Sequence, residues 1–201
     1  RTIGGGTLLD LRAPARKRRT PERLGQIEAL ALGEPAGVLA ALLARSPFSV
    51  DLTAFARDHA LNAPAMDALI DRQGVLRIRA QNAELGLSPA TWLKLKRDLL
   101  ATLESFHTDN PDLPGIGLER LRLQLLPRLP APTFLSFLQG LAKGGEVGLQ
   151  GAWVRLPGHE VRLTSADEQV WSKIRPMIAD AERFRPPRVR DIAGIIGLHE
   201  N

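Results

Sequence analysis

The sequence predicts a mostly α-helical chain with small β-hairpins, an α+β class built from repeated modules. Three observations lead there. A Ser or Thr introduces an amphipathic helix three times, at Thr20-Pro21, Ser88-Pro89 and Ser165-Ala166-Asp167-Glu168. Each time a second helical stretch follows, and twice the helical period then gives way to a short run with strand alternation and a turn. With 201 residues and 44% hydrophobic content the chain can bury cores, yet the repeat divides it into small units instead of one large domain.

In the first unit Thr20 can cap a helix that has Pro21 in its first turn, where the missing N–H is not needed. Leu24, Ile27, Leu30 and Ala31 recur at helical spacing, Gly33 and Pro35 interrupt, and Val38, Leu39, Leu42 and Leu43 resume the stripe up to Ser46-Pro47. Extended Phe48-Ser49-Val50 leads to a short helix with Leu52, Phe55 and Ala56. A third helix points Met66, Leu69 and Ile70 inward and ends at Gly74. Val75-Leu76-Arg77-Ile78-Arg79 then alternates as a strand, and Asn82 with its neighbours turns the chain back through Glu84 to Leu87.

The second unit repeats this order. A long helix opens at Pro89 with Trp92, Leu95, Leu99, Leu103 and Phe106 on one face, and a Pro/Gly loop from Asn110 to Gly117 precedes Leu118, Leu121, Leu125 and Leu126. Pro127, Pro130 and Pro132 break the chain before a helix bearing Phe134, Phe137, Leu138 and Leu141. Gly144-Gly145 stops it, and Val147 to Leu156, turning at Gln150-Gly151, forms the hairpin. The third unit starts with the capping box Ser165-x-x-Glu168, followed by Val170, Trp171, Ile174, Met177 and Ile178. Pro186-Pro187 punctuates, Arg188-Val189 extends, and Asp191 to Ile196 is a second helix before Gly197. Helix, helix, turn, helix, hairpin is the order of a winged helix, and the expectation is tandem winged-helix domains. The boundaries are 1–19 for a leading segment and basic linker, 20–87 and 88–164 for two winged helices, and 165–201 for the beginning of a third. The unfinished third unit and the absence of an initial Met lead us to expect a piece of a longer chain.

The net charge of +5 is unevenly placed. The first twenty residues hold six basic residues against Asp10 alone, so the whole excess lies ahead of the first module, and the remainder is neutral. A basic balance points to nucleic acid, but here the inference applies to a tail. The absence of Cys leaves no disulfide framework and makes a reducing cytoplasm the expected compartment. No apolar run reaches the roughly 18 residues of a membrane span, so no membrane partner is expected, and a monomer is.

Catalysis finds no footing. Gly4-Gly5-Gly6 lacks the following Lys-Ser/Thr of a phosphate loop and the spacing of a dinucleotide fingerprint. His59, His107, His159 and His199 show no metal-ligand spacing and are expected at surfaces or helix ends. Asp109-Asn110-Pro111-Asp112 lacks the Gly and Glu of a calcium loop, and its prolines suit a rigid connector. No Ser, His and acid arrangement stands out, so the expectation is no enzyme and no metal.

A nucleic-acid-reading winged helix places Arg, Lys, Asn or Gln on its third helix. The first module offers Asp67, Asp71, Arg72 and Gln73 there, and the second Gln139 and Lys143. Both are poorly equipped for a polyanion. The RNA-binding candidates are instead Arg16, Lys17, Arg18 and Arg19, which can neutralise phosphates without sequence preference, and more weakly Arg188 and Arg190 in a looser cluster with Arg183 and Arg185.

Two strings carry a resemblance. Arg1-Thr2-Ile3-Gly4-Gly5-Gly6-Thr7-Leu8-Leu9-Asp10 resembles the end of the third, barrel domain of the bacterial selenocysteine-specific translation elongation factor family, with Leu11 where that family commonly has Pro. Phe106-His107-x-x-Asn110-Pro111-x-x-Pro114-Gly115-Ile116-x-x-Glu119-x-Leu121-Arg122 resembles the loop and second helix of that family's second winged helix, and is the more specific of the two. The resemblance implies a GTPase parent that uses GTP and magnesium, delivers selenocysteyl-tRNA to a recoded UGA codon on the ribosome, and reaches an mRNA hairpin through its last winged helices. None of the GTPase residues has a counterpart here, so no cofactor is expected in this chain. The implied role is a spacer between the tRNA-binding body and the hairpin-binding tip. Two alternatives remain: a winged-helix DNA-binding regulator, or a structural tandem winged-helix interaction protein.

Overall fold

The computed structural model describes residues 3–6, 8–16, 18–81, 83–179 and 187–197. Its order is α1 (Pro21–Leu30), α2 (Pro35–Leu43), β1 (Val50–Asp51), α3 (Leu52–Asp58), α4 (Ala63–Gln73), β2 (Leu76–Ala80) and β3 (Ala83–Leu87). There follow α5 (Pro89–Asp109), β4 (Ile116–Gly117), α6 (Leu118–Gln124), α7 (Ala131–Lys143), β5 (Gly148–Gln150), β6 (Trp153–Arg155), α8 (Ser165–Ile178) and α9 (Val189–Ile196). The mostly helical class with small antiparallel hairpins is the one the sequence predicts.

The same local device starts helix after helix. Thr20 Oγ1 accepts from the Arg23 N–H at 3.3 Å, Asp51 Oδ1 from Ala54 at 2.8 Å, Asn62 Oδ1 from Ala65 at 3.0 Å and Ser88 Oγ from Thr91 at 3.2 Å. Gly74 ends α4 with φ of 62°, a left-handed conformation that costs glycine nothing. Each sheet has three antiparallel strands, in the orders β1-β3-β2 and β4-β6-β5. The hairpin pairs Ala80 with Ala83 in the first and Gln150 with Trp153 in the second, so the second turn is Gly151-Ala152 with Gly151 at φ of 59°. Asn82, expected in the first turn, lies outside the described residues.

Several expectations shift. Leu24 is 49% exposed and Ala29 is the buried residue of α1. Five positions apart, the two side chains lie about 140° from each other round the helix, so they cannot share the buried face. Phe48 is not extended: its N–H bonds the Arg45 carbonyl at 2.6 Å, closing a turn with φ of 61°. Leu126 is exposed just past α6. Pro132 does not break the chain before α7 but sits in its first turn, where a helix tolerates it. The third cap is one residue early: Thr164, not Ser165, is the N-cap and accepts from the Asp167 N–H at 3.1 Å. Thr164 has the extended conformation a cap requires, whereas Ser165 is already helical. Val189 begins α9 instead of extending a strand.

Two cores form. The smaller gathers Val38, Leu39, Leu52, Phe55, Met66, Ile70 and Val75 from α2 to the start of β2. The larger gathers Leu95, Leu99, Leu103, Leu121, Phe134, Phe137, Leu138 and Val154, and it also contains Ile78, Leu85 and Leu87 from the first hairpin. The end of β3, Leu85 to Leu87, is therefore buried on both faces, whereas Leu76 and Arg79 of β2 stay exposed. Gly86 faces Leu52 and Val75, where a Cβ would sit 2.7 and 3.0 Å from their side chains. Ile78, paired with Leu85, faces the other way, and β2 lies against α7. No residue of α8 or α9 is buried, and these two helices lie against each other.

Candidate nucleic-acid interface

The N-terminal segment is pinned before it becomes basic. Asp10 accepts the Arg12 backbone N–H at 2.7 Å and forms an ion pair with Arg23 of α1. Arg12 pairs with Asp58 of α3. Burial opposes ionisation of Asp10, but the Arg12 N–H and the Arg23 guanidinium outweigh it and hold the carboxyl below its ordinary 3.8. A groove of about 490 Å³ lies here, lined by Leu9, Leu30, Leu42 and Phe55 among others. Beyond the pins the chain folds back on itself, Arg18 Nε donating to the Pro14 carbonyl at 3.0 Å.

Of the predicted RNA-contacting residues, Arg16, Arg18 and Arg19 are exposed next to one another in sequence, and Lys17 lies outside the described residues. Arg188 is exposed as the N-cap of α9, and Arg190 is exposed with its Nε 3.7 Å from Asp191. Arg183 and Arg185 lie outside the described residues, as does His199.

The third helices are as unfavourable to a polyanion as their composition suggests. On α4, Asp67 and Asp71 face solvent, Asp67 bonds Arg77 of β2 at 2.6 Å, and Gln73 donates to the Ala36 carbonyl at 2.7 Å. On α7, Thr133, Phe134, Phe137, Leu138 and Leu141 are buried, and one flank is taken up by β2. The strip left over shows Leu135, Gln139 and Lys143, a single cation.

The histidines were expected apart at surfaces, and two of them meet. His107, near the end of α5, stacks on His159 with centroids 3.7 Å apart and planes 5° from parallel. His159 Nε2 donates to the Leu113 carbonyl at 2.8 Å, and the Arg155 guanidinium donates to the His159 carbonyl at 2.8 Å. Burial first, then His159 and Arg155, push His107 below its ordinary 6.5. Nothing in the spacing of two residues so distant in sequence announces the pair, because the fold of the second hairpin brings them together. Among the described residues no group of three or more His, Cys, Asp or Glu could hold a metal ion, and no helix is long and apolar enough to cross a membrane.

Two repeats of helices closed by a three-stranded antiparallel sheet, the second core reaching into the first hairpin, define a tandem winged-helix protein. Residues 100–156, from the middle of α5 through the second hairpin, match the family described as elongation factor SelB, winged helix. The selenocysteine-specific elongation factor of Escherichia coli is 29% identical over 200 residues, covering 99% of this chain and 31% of that protein. Its counterpart in Haemophilus influenzae is 21% identical over 199 residues, with the same coverage. The chain is homologous to bacterial SelB, with the family match confined to its second winged helix, and spans about a third of the length of these relatives.

Proposed function

We propose that this chain is a stiff spacer within a selenocysteine-specific elongation factor, holding a GTPase and tRNA-binding body at a set distance from the part that grips the selenoprotein mRNA hairpin during UGA recoding. Its divisions are the leading segment 1–19, winged helices at 20–87 and 88–164, and the start of a third at 165–201. The observation that carries this reading is the end of β3, where Leu85 and Leu87 enter the second core while Gly86 packs on Leu52 and Val75 of the first, because a strand shared by two cores leaves little freedom for bending between the modules. The acidic α4 and the half-covered α7 favour it over a DNA-binding regulator, which needs a basic third helix. GTP, magnesium, selenocysteyl-tRNA and the ribosome belong to the proposed whole protein. This chain's own RNA contact is weak and nonspecific, through Arg16, Lys17, Arg18 and Arg19, with Arg188 and Arg190 secondary.

Titrating the chain with the mRNA hairpin across a salt series tests the reading. Four phosphate contacts on a duplex give a log–log salt slope of roughly −3 to −4, with little preference over a scrambled hairpin. Replacing Arg16, Lys17, Arg18 and Arg19 by Ala removes most of that slope. Tight, hairpin-selective binding at physiological salt that survives the replacement refutes it.

A further inference from the structure

The connector 157–164, which links the second hairpin to α8, is held by a small set of polar contacts centred on the histidine stack. Arg155 and Leu113 fix His159 from two sides. The Arg162 N–H bonds the Pro111 carbonyl at 2.9 Å, tying the connector to the loop between α5 and β4. His107 supplies the flat surface on which His159 rests. Both ring nitrogens of His107 are buried without a hydrogen-bond partner. A buried polar atom left unpaired calls for an explanation, since each costs free energy and a packed carbon ring would fill the same space.

Protonation supplies one. A neutral imidazole stacks on its neighbour at van der Waals distance. An imidazolium there would carry a charge with no acceptor, face to face with a second imidazole and near the Arg155 cation. The charged groups nearest the stack along the elements around it are Glu104 and Asp109 on α5, Asp112 in the following loop, Arg155 on β6, and Glu160 and Arg162 on the connector. Glu104 lines the same open cleft of about 400 Å³ as the two rings, so a protonated His107 gains a counter-ion only by swinging out of the stack toward it. Leaving the stack removes the support under His159.

We propose that the His107–His159 stack is a proton-sensitive latch that fixes the connector, and with it the placement of α8 and α9, to the second winged helix. Neutral rings close the latch. Protonation of His107 opens it, freeing His159 and the Arg162 to Pro111 bond. Because the neutral form is the one the fold favours, the latch is fully closed above the ordinary histidine value of 6.5 and weakens as pH falls below it. The device rests on the geometry of this chain alone and stands whether or not the spacer role does.

The test uses the whole chain and reads the Arg162 amide by hydrogen exchange at pH 7.5 and 5.5, corrected for the intrinsic rate. Protection is expected to fall severalfold, up to the roughly tenfold that one proton can supply over this range, in the natural chain and less than twofold in His107→Phe, which keeps a stacking ring but cannot take a proton. His159→Asn is a second variant, retaining a donor for the Leu113 carbonyl while removing the stack, and it is expected to show low protection at both pH values. The NMR titration of the His107 ring in the natural chain provides a reading that needs no variant: its midpoint must lie below 6.5, at the acid end of the range over which Arg162 protection is lost. Protection unchanged between the two pH values, an equal loss in His107→Phe, or a His107 titration separate from the Arg162 response each overturns the proposal.

Discussion

Ile78 offers a direct probe of whether the two winged helices act mechanically as one. It belongs to the first hairpin, is 4% exposed, and sits in the same cluster as Leu95, Leu99 and the buried residues of α7. Truncating a buried Ile to Ala removes about 2–5 kcal/mol of stability, depending on how far the surroundings collapse. With a urea dependence of about 2 kcal/mol per molar, a loss near the middle of that range moves the midpoint down by roughly 1.75 M. The tryptophans make the assay decisive, because none of them lies in the first module. Trp92 packs edge-on against Phe137 of α7 at 4.9 Å and Trp153 is on β6, so both report the second module, while Trp171 on α8 is removed by substitution to Phe. Tryptophan fluorescence during urea unfolding should therefore record the full shift from a substitution made in the other module. A fluorescence midpoint unchanged by Ile78→Ala, alongside an earlier circular-dichroism phase for the first module, would refute the shared core.

Three further outcomes are expected. Gly115→Ala combines φ of 152° with a Cβ only 2.4 Å from the Val154 carbonyl, so it should lose more than about 1 kcal/mol and the β4–β6 pairing, seen as lost amide protection at Ile116. Thr164→Ala should cost α8 about 0.5–2 kcal/mol while Ser165→Ala leaves it nearly unchanged, read from exchange at Val170; equal effects would contradict the cap assignment. Asp10 has a depressed pKa, so its anchoring of the N-terminal segment is intact above 3.8 and fades as pH drops below that value. NMR shifts of Leu9 and Leu11 should follow this acid transition, and Asp10→Asn should show the released positions already at neutral pH.

Local information accounts for most of the elements. Thr20-Pro21 and Ser88-Pro89 specify helix starts because a hydroxyl and a proline satisfy the first turn without help from distant residues. The heptad-like run from Trp92 to Phe106 fixes the buried face of α5 through spacing alone. The placement of excess charge ahead of Thr20, and its poverty on α4 and α7, can be read directly from the sequence, as can the string from Phe106 to Arg122 that lies within the SelB winged-helix match. The cap of α8 was legible only to within a residue, since Thr164 and Ser165 are both competent and backbone conformation chooses between them.

What the sequence could not decide were the relations between segments far apart along it. Leu85-Gly86-Leu87 is a run without alternation, the pattern of a strand buried on both faces, but nothing local says that α7 supplies the second face. The pins from Asp10 and Arg12 to α1 and α3, and the stacking of His107 on His159, likewise depend on where the chain returns after long excursions. Capping and periodicity act over a few residues, so the sequence alone determined which helices and hairpins form and where the charge lies. Packing acts between surfaces that meet only once the chain has folded, and that is why the tertiary structure alone decided that one hairpin serves two cores and that two histidines share one site.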